Sequence, residues 1–161
     1  MFEAIQDLKD AIPGLEALDL HEAGLDVRIL QASIRGPGKK NVVVSFRDLS
    51  EGQRALIVLY VALHCVVAED ALVMIDEPDN FIALAEIQPW LLKLIDFVQV
   101  RKGQVILVSH HPELLDQLAR QGGVLLDRPD GGETRVVPFP AQDDSGLKSS
   151  EIIARGWEPR A

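Results

Sequence analysis

The sequence has 161 residues, a length that suits one domain with a sizeable core and is short for two ordinary domains. Hydrophobic residues make up 47% and aromatic residues 5%, so we expect a core built from aliphatic side chains. The net charge of −9, with no basic cluster beyond Lys39-Lys40, argues against direct binding of nucleic acid, and the single cysteine excludes an internal disulfide framework.

The predicted elements begin with an amphipathic helix and a β-hairpin. Residues 2–12 carry apolar side chains at helical spacing, and a Pro-Gly pair ends the helix. Two β-type runs follow, residues 25–34 and 41–46, and the turn-rich segment 35–40 between them predicts a hairpin.

Beyond the hairpin, apolar helices and apolar strands alternate. In chain order we predict a buried helix over 56–67, a strand over 71–75, a helix over 84–98, a strand over 104–109, a helix over 112–120 and strands over 123–127 and 134–139. Apolar strands that alternate with helices are typical of a mainly parallel sheet with helices on both faces, so the predicted class is α/β. The longest apolar stretch is too short to cross a bilayer, and the N-terminus carries no secretory signal, so we expect a cytoplasmic protein without a membrane segment.

The first polar motif, Leu49-Ser50-Glu51-Gly52-Gln53, stands at the start of the long apolar helix. Read locally, Ser50 and Gln53 form a capping box. A functional interpretation is that Gly52 leaves backbone N–H groups of the first turn open, so that a phosphate can bind at the positive end of the helix dipole. The motif by itself leaves both interpretations open.

The second motif is a pair of carboxylates, Asp76 and Glu77, which ends an apolar strand and precedes Pro78. Burying a charge costs free energy unless the charge has a partner, so two carboxylates at this position are unfavourable unless something binds them. Asp76 suits Mg²⁺, which prefers oxygen ligands, and Glu77 can accept a proton from water attacking a γ-phosphate. An acidic surface turn is the alternative, and we favour the functional interpretation.

The third motif, Ser109-His110-His111-Pro112, follows the next apolar strand. A polar cap with proline at the first helical position accounts for it. An imidazole at this strand end is also placed to donate a hydrogen bond to a phosphate oxygen. Because ligands of open α/β sheets bind at the carboxyl ends of the strands, the second and third motifs are expected at the same edge.

Together and in this order, the motifs resemble the C-terminal half of ABC-type ATPases of the SMC/RecF kind. The resemblance covers residues 46–111 in motifs and the whole chain in layout. The most similar branch comprises AAA-family ATPases related to the overcoming-lysogenization-defect nucleases, in which a Pro-Gly helix end, a hairpin and a Leu-Ser-x-Gly-Gln-Arg segment occur in this order. It implies a P-loop NTPase-like C-terminal lobe over residues 1–161, with a lead-in over 1–48, a motif core over 49–140 and a tail over 141–161.

The resemblance also implies roles for the first two motifs. Ser50, Gly52 and Gln53 form the signature, which contacts the nucleotide of the opposite subunit. Asp76 is the Walker B carboxylate that binds Mg²⁺, and Glu77 polarises the attacking water.

Further roles follow from the same resemblance. Asp79 and Asn80 begin the D-loop, His110 is the switch histidine that senses the γ-phosphate, and His111 ranks second for that role. Residues 81–84 depart from the Gly-Leu-His-Pro common at this point of the family. A larger departure is that no G-x-x-x-x-G-K-[ST] occurs in the sequence, so the phosphate-binding P-loop (Walker A) is missing.

The predicted function is therefore one half of an ATPase that hydrolyses ATP with Mg²⁺. Its partners are a Walker A-bearing half or a full-length subunit, a second copy that sandwiches ATP, and an effector protein outside this lobe. The chain alone is expected to be inactive. The alternative is a non-catalytic remnant or regulatory dimerisation module, and a nucleic-acid-binding domain is disfavoured by the charge.

Overall fold

The computed structural model describes residues 2–66, 71–101, 103–118, 122–128, 131–139 and 147–155. The chain divides into two compact units, Met1–Val108 and Ser109–Ala161. The end of the predicted helix 56–67, the end of the predicted helix 112–120 and most of the tail 141–161 lie outside the described residues.

The elements follow the predicted order closely. The first unit contains α1 (Phe2–Ala11), β1 (Leu15–Gly24), β2 (Val27–Arg35), β3 (Asn41–Ser45), α2 (Glu51–Cys65), β4 (Leu72–Asp76), α3 (Leu84–Arg101) and β5 (Gln104–Val108). The second unit contains α4 (Pro112–Leu118), β6 (Val124–Asp127), β7 (Arg135–Pro138) and α5 (Ser149–Ala154). Single 3-10 turns flank β3, at Pro37–Lys39 and Phe46–Asp48.

The predicted hairpin is confirmed, and it is part of a three-stranded antiparallel sheet in the order β1-β2-β3. Strand β1 was not predicted, because its Leu, Glu and Ala residues are good helix formers. Pairing with β2 overrides that preference, and the two strands join through a tight turn in which Asp26 has a φ of 61°. Apolar residues alternate with polar ones along β1, as in Leu18-Asp19-Leu20-His21, a pattern that is typical of a strand and that the prediction did not use.

Strands β4 and β5 form a parallel pair, with Asp76 opposite Val108, and α3 makes the crossover between them. The predicted α/β class, with a parallel sheet, helices and an antiparallel hairpin, is confirmed. Among the described residues no further strand pairs with either β4 or β5. One face of the pair leaves its apolar side chains exposed; these are Leu72, Met74, Ile106 and Val108.

The core of the first unit lies where α1 packs on α2 and α2 on α3. Its largest fully buried side chains are Trp90 and Tyr60. The sequence predicts that α2 is buried nearly all round, and this is wrong on one side. Val58 and Val61 are 57% and 43% exposed, because one stripe of the helix has no neighbouring element among the described residues.

A polar cluster ties the three helices together beside this core. Asp7 of α1 accepts from Lys93 of α3 at 2.9 Å and contacts the His64 Nε2 of α2 at 2.9 Å. Arg101 donates to the His64 carbonyl at 3.2 Å and lies over the Phe97 ring. Burial and the nearby negative charge of Asp7 are among the causes that raise the pKa of Tyr60 to about 12.

In the second unit, β6 and β7 pair in antiparallel fashion and α5 is held against α4. The hydroxyl and the backbone N–H of Ser150 both donate to Asp116, each at 2.9 Å. Within the described part of the chain, none of the helices combines the length and the apolar character that crossing a membrane requires.

Candidate functional site

The signature turn at the start of α2 forms the predicted capping box. The Gln53 N–H donates to Ser50 Oγ at 3.2 Å, and the Ser50 N–H donates to Gln53 Oε1 at 3.1 Å. Each residue thereby satisfies a backbone group that the helix start leaves open. The local interpretation of Ser50 and Gln53 is confirmed, and a phosphate would have to share Ser50 Oγ with this bond.

Gly52 lies directly against the backbone of another segment. A Cβ atom at this position would stand 2.6 Å from the Phe81 carbonyl oxygen, closer than real Cβ atoms come. Any side chain would force the two backbones apart. Gly52 is therefore required by close packing with a segment that is distant in the sequence, so no local pattern could have indicated it.

The two carboxylates lie where β4 ends. Asp76 is the exposed last residue of the strand, whereas Glu77 is half-buried with its Oε2 atom shielded from solvent. The Glu77 N–H donates to the Val108 carbonyl at 2.7 Å, which continues the pairing with β5 by one residue. Glu77 has a φ of 48°, in the left-handed region that non-glycine residues rarely adopt. Such strained positions cluster at functional sites.

The segment after Glu77 folds into two successive turns. The Asn80 N–H donates to the Glu77 carbonyl at 3.2 Å, and the Ile82 N–H donates to the Asp79 carbonyl at 3.1 Å. Asp79 is buried, and Phe81 has a φ of 68° with an exposed ring. The predicted D-loop residues therefore belong to a compact loop rather than to an extended one.

The predicted signature residues line a cleft of about 470 Å³, to which Phe81 contributes from this loop but Asp79 and Asn80 do not. Ser50, Gly52 and Gln53 contribute to its wall, together with Phe81 and the end of α1. Asp76 and Glu77 do not line it. The structure thus brings the signature residues together at one surface and leaves the two carboxylates outside it.

The histidines begin the second unit. His111 caps α4, since its Nδ1 atom accepts from the Glu113 N–H at 3.2 Å and its own N–H donates to Ser109 Oγ at 3.0 Å. Pro112 follows at the first helical position. The capping interpretation is confirmed for His111. His110 is exposed in the preceding loop.

The predicted Mg²⁺ site consists of one exposed and one half-buried carboxylate, Asp76 and Glu77. Among the described residues, no three His, Cys, Asp or Glu side chains are grouped so that they could hold a metal ion. Mg²⁺ is commonly bound by one or two carboxylates, with waters and substrate phosphates as the other ligands. The exposed Asp76 fits an Mg²⁺ that arrives with a nucleotide, and it does not fit a resident ion held by protein alone.

The fold is that of a P-loop NTPase-like lobe. A solved structure described as the Smc head domain with a coiled coil and joint, derived from Pyrococcus yayanosii, superposes on it with a TM-score of 0.63 at 15% identity. The match covers 96% of this chain and 28% of that one, so the chain spans well under half of the solved structure.

The sequence places the chain more narrowly. It belongs to the family described as "AAA domain, putative AbiEii toxin, Type IV TA system", whose model matches residues 5–116. The family consists of nucleotide-binding ATPases, which confirms the predicted resemblance to SMC/RecF-like AAA ATPases. No curated protein sequence matches the chain significantly.

Proposed function

We propose that the chain is the C-terminal half of an ATP-hydrolysing ABC/RecF-like ATPase and completes its sites in a dimer. One observation carries the proposal. Ser50, Gly52 and Gln53 line one cleft, whereas Asp76 and Glu77 lie outside it. Two sets of phosphate-directed groups that do not share one cleft suit a sandwich in which each set serves a different nucleotide.

The proposed chemistry assigns one task to each group. Asp76 would hold the Mg²⁺ that arrives with the nucleotide, and the ion would supply positive charge against the charge that develops on the phosphates. Water attacks the γ-phosphorus, the bond to the β–γ bridging oxygen breaks, and Glu77 accepts the proton, giving ADP and phosphate. The signature of the opposite subunit contacts the γ-phosphate, and His110 donates a hydrogen bond to it.

The remaining roles complete the proposal. Asp79 and Asn80 contact the opposite subunit from the D-loop, and an effector protein outside this lobe uses the ATPase cycle. A cytoplasmic location belongs to the same proposal, because ATP and Mg²⁺ are available together there.

A second polypeptide segment must supply the phosphate-binding lysine and backbone. The exposed apolar face of β4 and β5 supports such a partner, since parallel sheets are normally covered on both faces. The unpaired outer edges of the described parallel pair support it as well, because exposed edges invite a further strand.

A regulatory dimerisation module without turnover is the second candidate. The observation that favours it is that capping accounts for Ser50 and Gln53, and close packing for Gly52, without any nucleotide. In this case the chain retains the fold and the dimer surface, and Glu77 has no catalytic task.

Replacement of Glu77 in a complex reconstituted with a Walker A-bearing half separates the two candidates. We expect Glu77→Gln to leave ATP binding intact, to slow hydrolysis by about 10²-fold or more, and to trap the ATP-bound dimer. Glu22→Gln, a carboxylate change in the exposed hairpin, is the matched control and is expected to leave the rate unchanged. The chain alone is expected to release no phosphate.

Phosphate-release assays and light scattering decide the outcome. An ATP-dependent dimer that never hydrolyses ATP, with or without the substitution, would favour the regulatory module. If Glu77→Gln hydrolyses ATP at the wild-type rate, Glu77 does not accept the proton in hydrolysis.

A further inference from the structure

The loop that follows Glu77 ends against the first turn of α2. The Phe81 carbonyl oxygen occupies the space that a side chain on Gly52 would need, at 2.6 Å from the position of its Cβ. Both contacting groups are backbone, so a change of side-chain rotamer cannot relieve the contact. A displacement of the α2 start therefore reaches the loop directly.

The loop is fixed at both ends. At one end the Glu77 N–H is bonded to Val108 at 2.7 Å, and at the other the Ala83 N–H is bonded to the Glu86 carboxylate at 3.3 Å where α3 begins. Two internal turn hydrogen bonds, from Asn80 and Ile82, shorten the path between these ends.

The backbone of this loop also has little freedom. Glu77 and Phe81 both hold left-handed φ values, 48° and 68°, which the surroundings must enforce. Packed segments of this kind move between discrete arrangements and do not deform continuously. The loop is suited to transmit a shift rather than to absorb it.

We propose that Phe81 is a positioning residue that couples the signature turn to Glu77. The inference rests on the proposed function, in which Gly52 contacts one nucleotide and Glu77 acts on another. When a phosphate fixes the first turn of α2, the Phe81 carbonyl is held in place and the two turns set the Glu77 carboxylate for its own nucleotide. Hydrolysis at one site thus depends on occupancy at the other.

The first test uses the full chain without nucleotide. Helix propensity alone favours alanine over glycine by about 1 kcal/mol, so Gly52→Ala is stabilising unless the close contact intervenes. We expect the added Cβ to displace the loop and to speed amide hydrogen exchange at Asn80 and Ile82 by roughly tenfold or more.

Gly36→Ala is the matched control for this measurement. A Cβ at Gly36 meets the Val42 side chain at 2.9 Å and the Lys40 carbonyl at 3.0 Å, so the crowding is similar but lies in the hairpin sheet. We expect it to leave exchange at Asn80 and Ile82 unchanged. Faster exchange confined to the first turn of α2 in Gly52→Ala would overturn the coupling.

A double-variant cycle covers the case in which Gly52→Ala folds but is too unstable for exchange at single amides to be compared with wild type. Phe81→Gly gives the loop backbone new freedom, so it should reduce the effect of Gly52→Ala on the unfolding equilibrium constant by roughly threefold or more. Asp26→Gly removes a similar left-handed residue in the hairpin turn and should not reduce it. Equal effects in all three backgrounds, or an unfolded double variant, would contradict the proposal.

The third test measures hydrolysis in the reconstituted complex. Phe81→Gly keeps every proposed catalytic group, so ATP-driven dimerisation and KM should persist while kcat falls by roughly tenfold. Asparagine adopts left-handed φ more readily than other side chains, so Phe81→Asn should retain kcat if conformation matters and the ring does not. Loss of kcat in both variants would assign the role to the ring.

These outcomes separate the coupling from the proposed function. If the wild-type complex never hydrolyses ATP, the proposed function fails, and the exchange and unfolding measurements still decide the coupling. If Phe81→Gly hydrolyses ATP at the wild-type rate, the coupling fails and the proposed function stands.

Discussion

The side-chain oxygen of Ser50 has two roles, one in helix capping and one in the proposed phosphate contact. It accepts from the Gln53 N–H in the capping box, and the proposed function directs it to a phosphate of the opposite subunit. Ser50→Asp separates the uses, because aspartate is an equally good N-cap but carries a negative charge. We expect an unchanged unfolding midpoint and a loss of ATP-driven dimerisation in light scattering.

Ser45→Asp is the matched control for this experiment. Ser45 caps a 3-10 turn by accepting from the Arg47 N–H at 3.4 Å, and it does not line the signature cleft. The control is expected to dimerise normally. If Ser50→Asp also dimerises normally, capping is the whole role of Ser50.

His111 is a residue whose capping role was one of two interpretations of the sequence. Its Nδ1 atom accepts from the Glu113 N–H, so His111→Ala should lower the free energy of unfolding of the second unit by about 1 kcal/mol. His111→Asn retains a cap acceptor and should restore most of it. Denaturant titration measures both, and an unchanged midpoint in His111→Ala would show that the bond contributes nothing.

How much of the site the sequence predicts depends on the separation of the contacting groups. The capping box involves residues three apart in one helix start, so the pattern predicts it fully. The contact between Gly52 and Phe81 joins distant segments, and the left-handed φ of Glu77 and Phe81 arises from tertiary packing. Neither has a local signature, which is why Phe81 was noted only as a departure from the family pattern.

At the scale of elements, the polar cluster between α1, α2 and α3 makes stability depend on pH. Burial raises the pKa of the Asp7 carboxyl, but the hydrogen bonds from Lys93 and His64 outweigh it, so the pKa lies below its usual value of 3.8. Because the pKa of Asp7 is lower in the folded chain than in the unfolded chain, its ionised carboxylate stabilises the fold above pH 3.8. This contribution is lost as the pH falls below that value and Asp7 becomes protonated.

Asp7→Asn tests this contribution. We expect it to lower the free energy of unfolding near neutral pH by about 1–3 kcal/mol, because the buried His64 and the partly exposed Lys93 lose a charged acceptor. The loss should shrink as pH falls below 3.8, where the wild-type carboxyl becomes protonated. Asp19→Asn in the exposed part of β1 is the control. A difference that stays constant down to acid pH would show that the charge of Asp7 is not the cause.

The elements themselves were predictable where periodicity and neighbours agree. Helices α2 and α3 and strands β4 and β5 have strong apolar patterns, and all four were found. Strand β1 was missed because the helix propensity of its residues conflicts with their period-two pattern, and pairing with β2 resolves the conflict in favour of the strand. The exposed stripe of α2 could not be predicted, because an apolar pattern does not reveal which side has a neighbour.

At the scale of the whole molecule, the exposed face of β4 and β5 is what the proposed function requires of a lobe that a Walker A-bearing half completes. Met74 is 69% exposed and Ile106 is 45% exposed on adjacent strands, so both side chains meet water in the chain alone. If the Walker A-bearing half covers this face, a charge placed there is tolerated in the isolated chain and is buried without a partner in the complex. Burial of an unpaired charge is strongly unfavourable.

Met74→Asp is therefore expected to leave the free energy of unfolding of the isolated chain within about 0.5 kcal/mol of the wild-type value, as is usual for exposed positions. Binding of the Walker A-bearing half, measured by calorimetry, should weaken by tenfold or more, since each factor of ten corresponds to about 1.4 kcal/mol. Leu92→Asp places the same charge at a 58% exposed leucine of α3, outside the sheet, and should bind normally. Equal binding by both variants would mean that the Walker A-bearing half does not cover this face. Weakened binding by both would indicate instead that the added negative charge on an already acidic chain, and not its position, repels the partner.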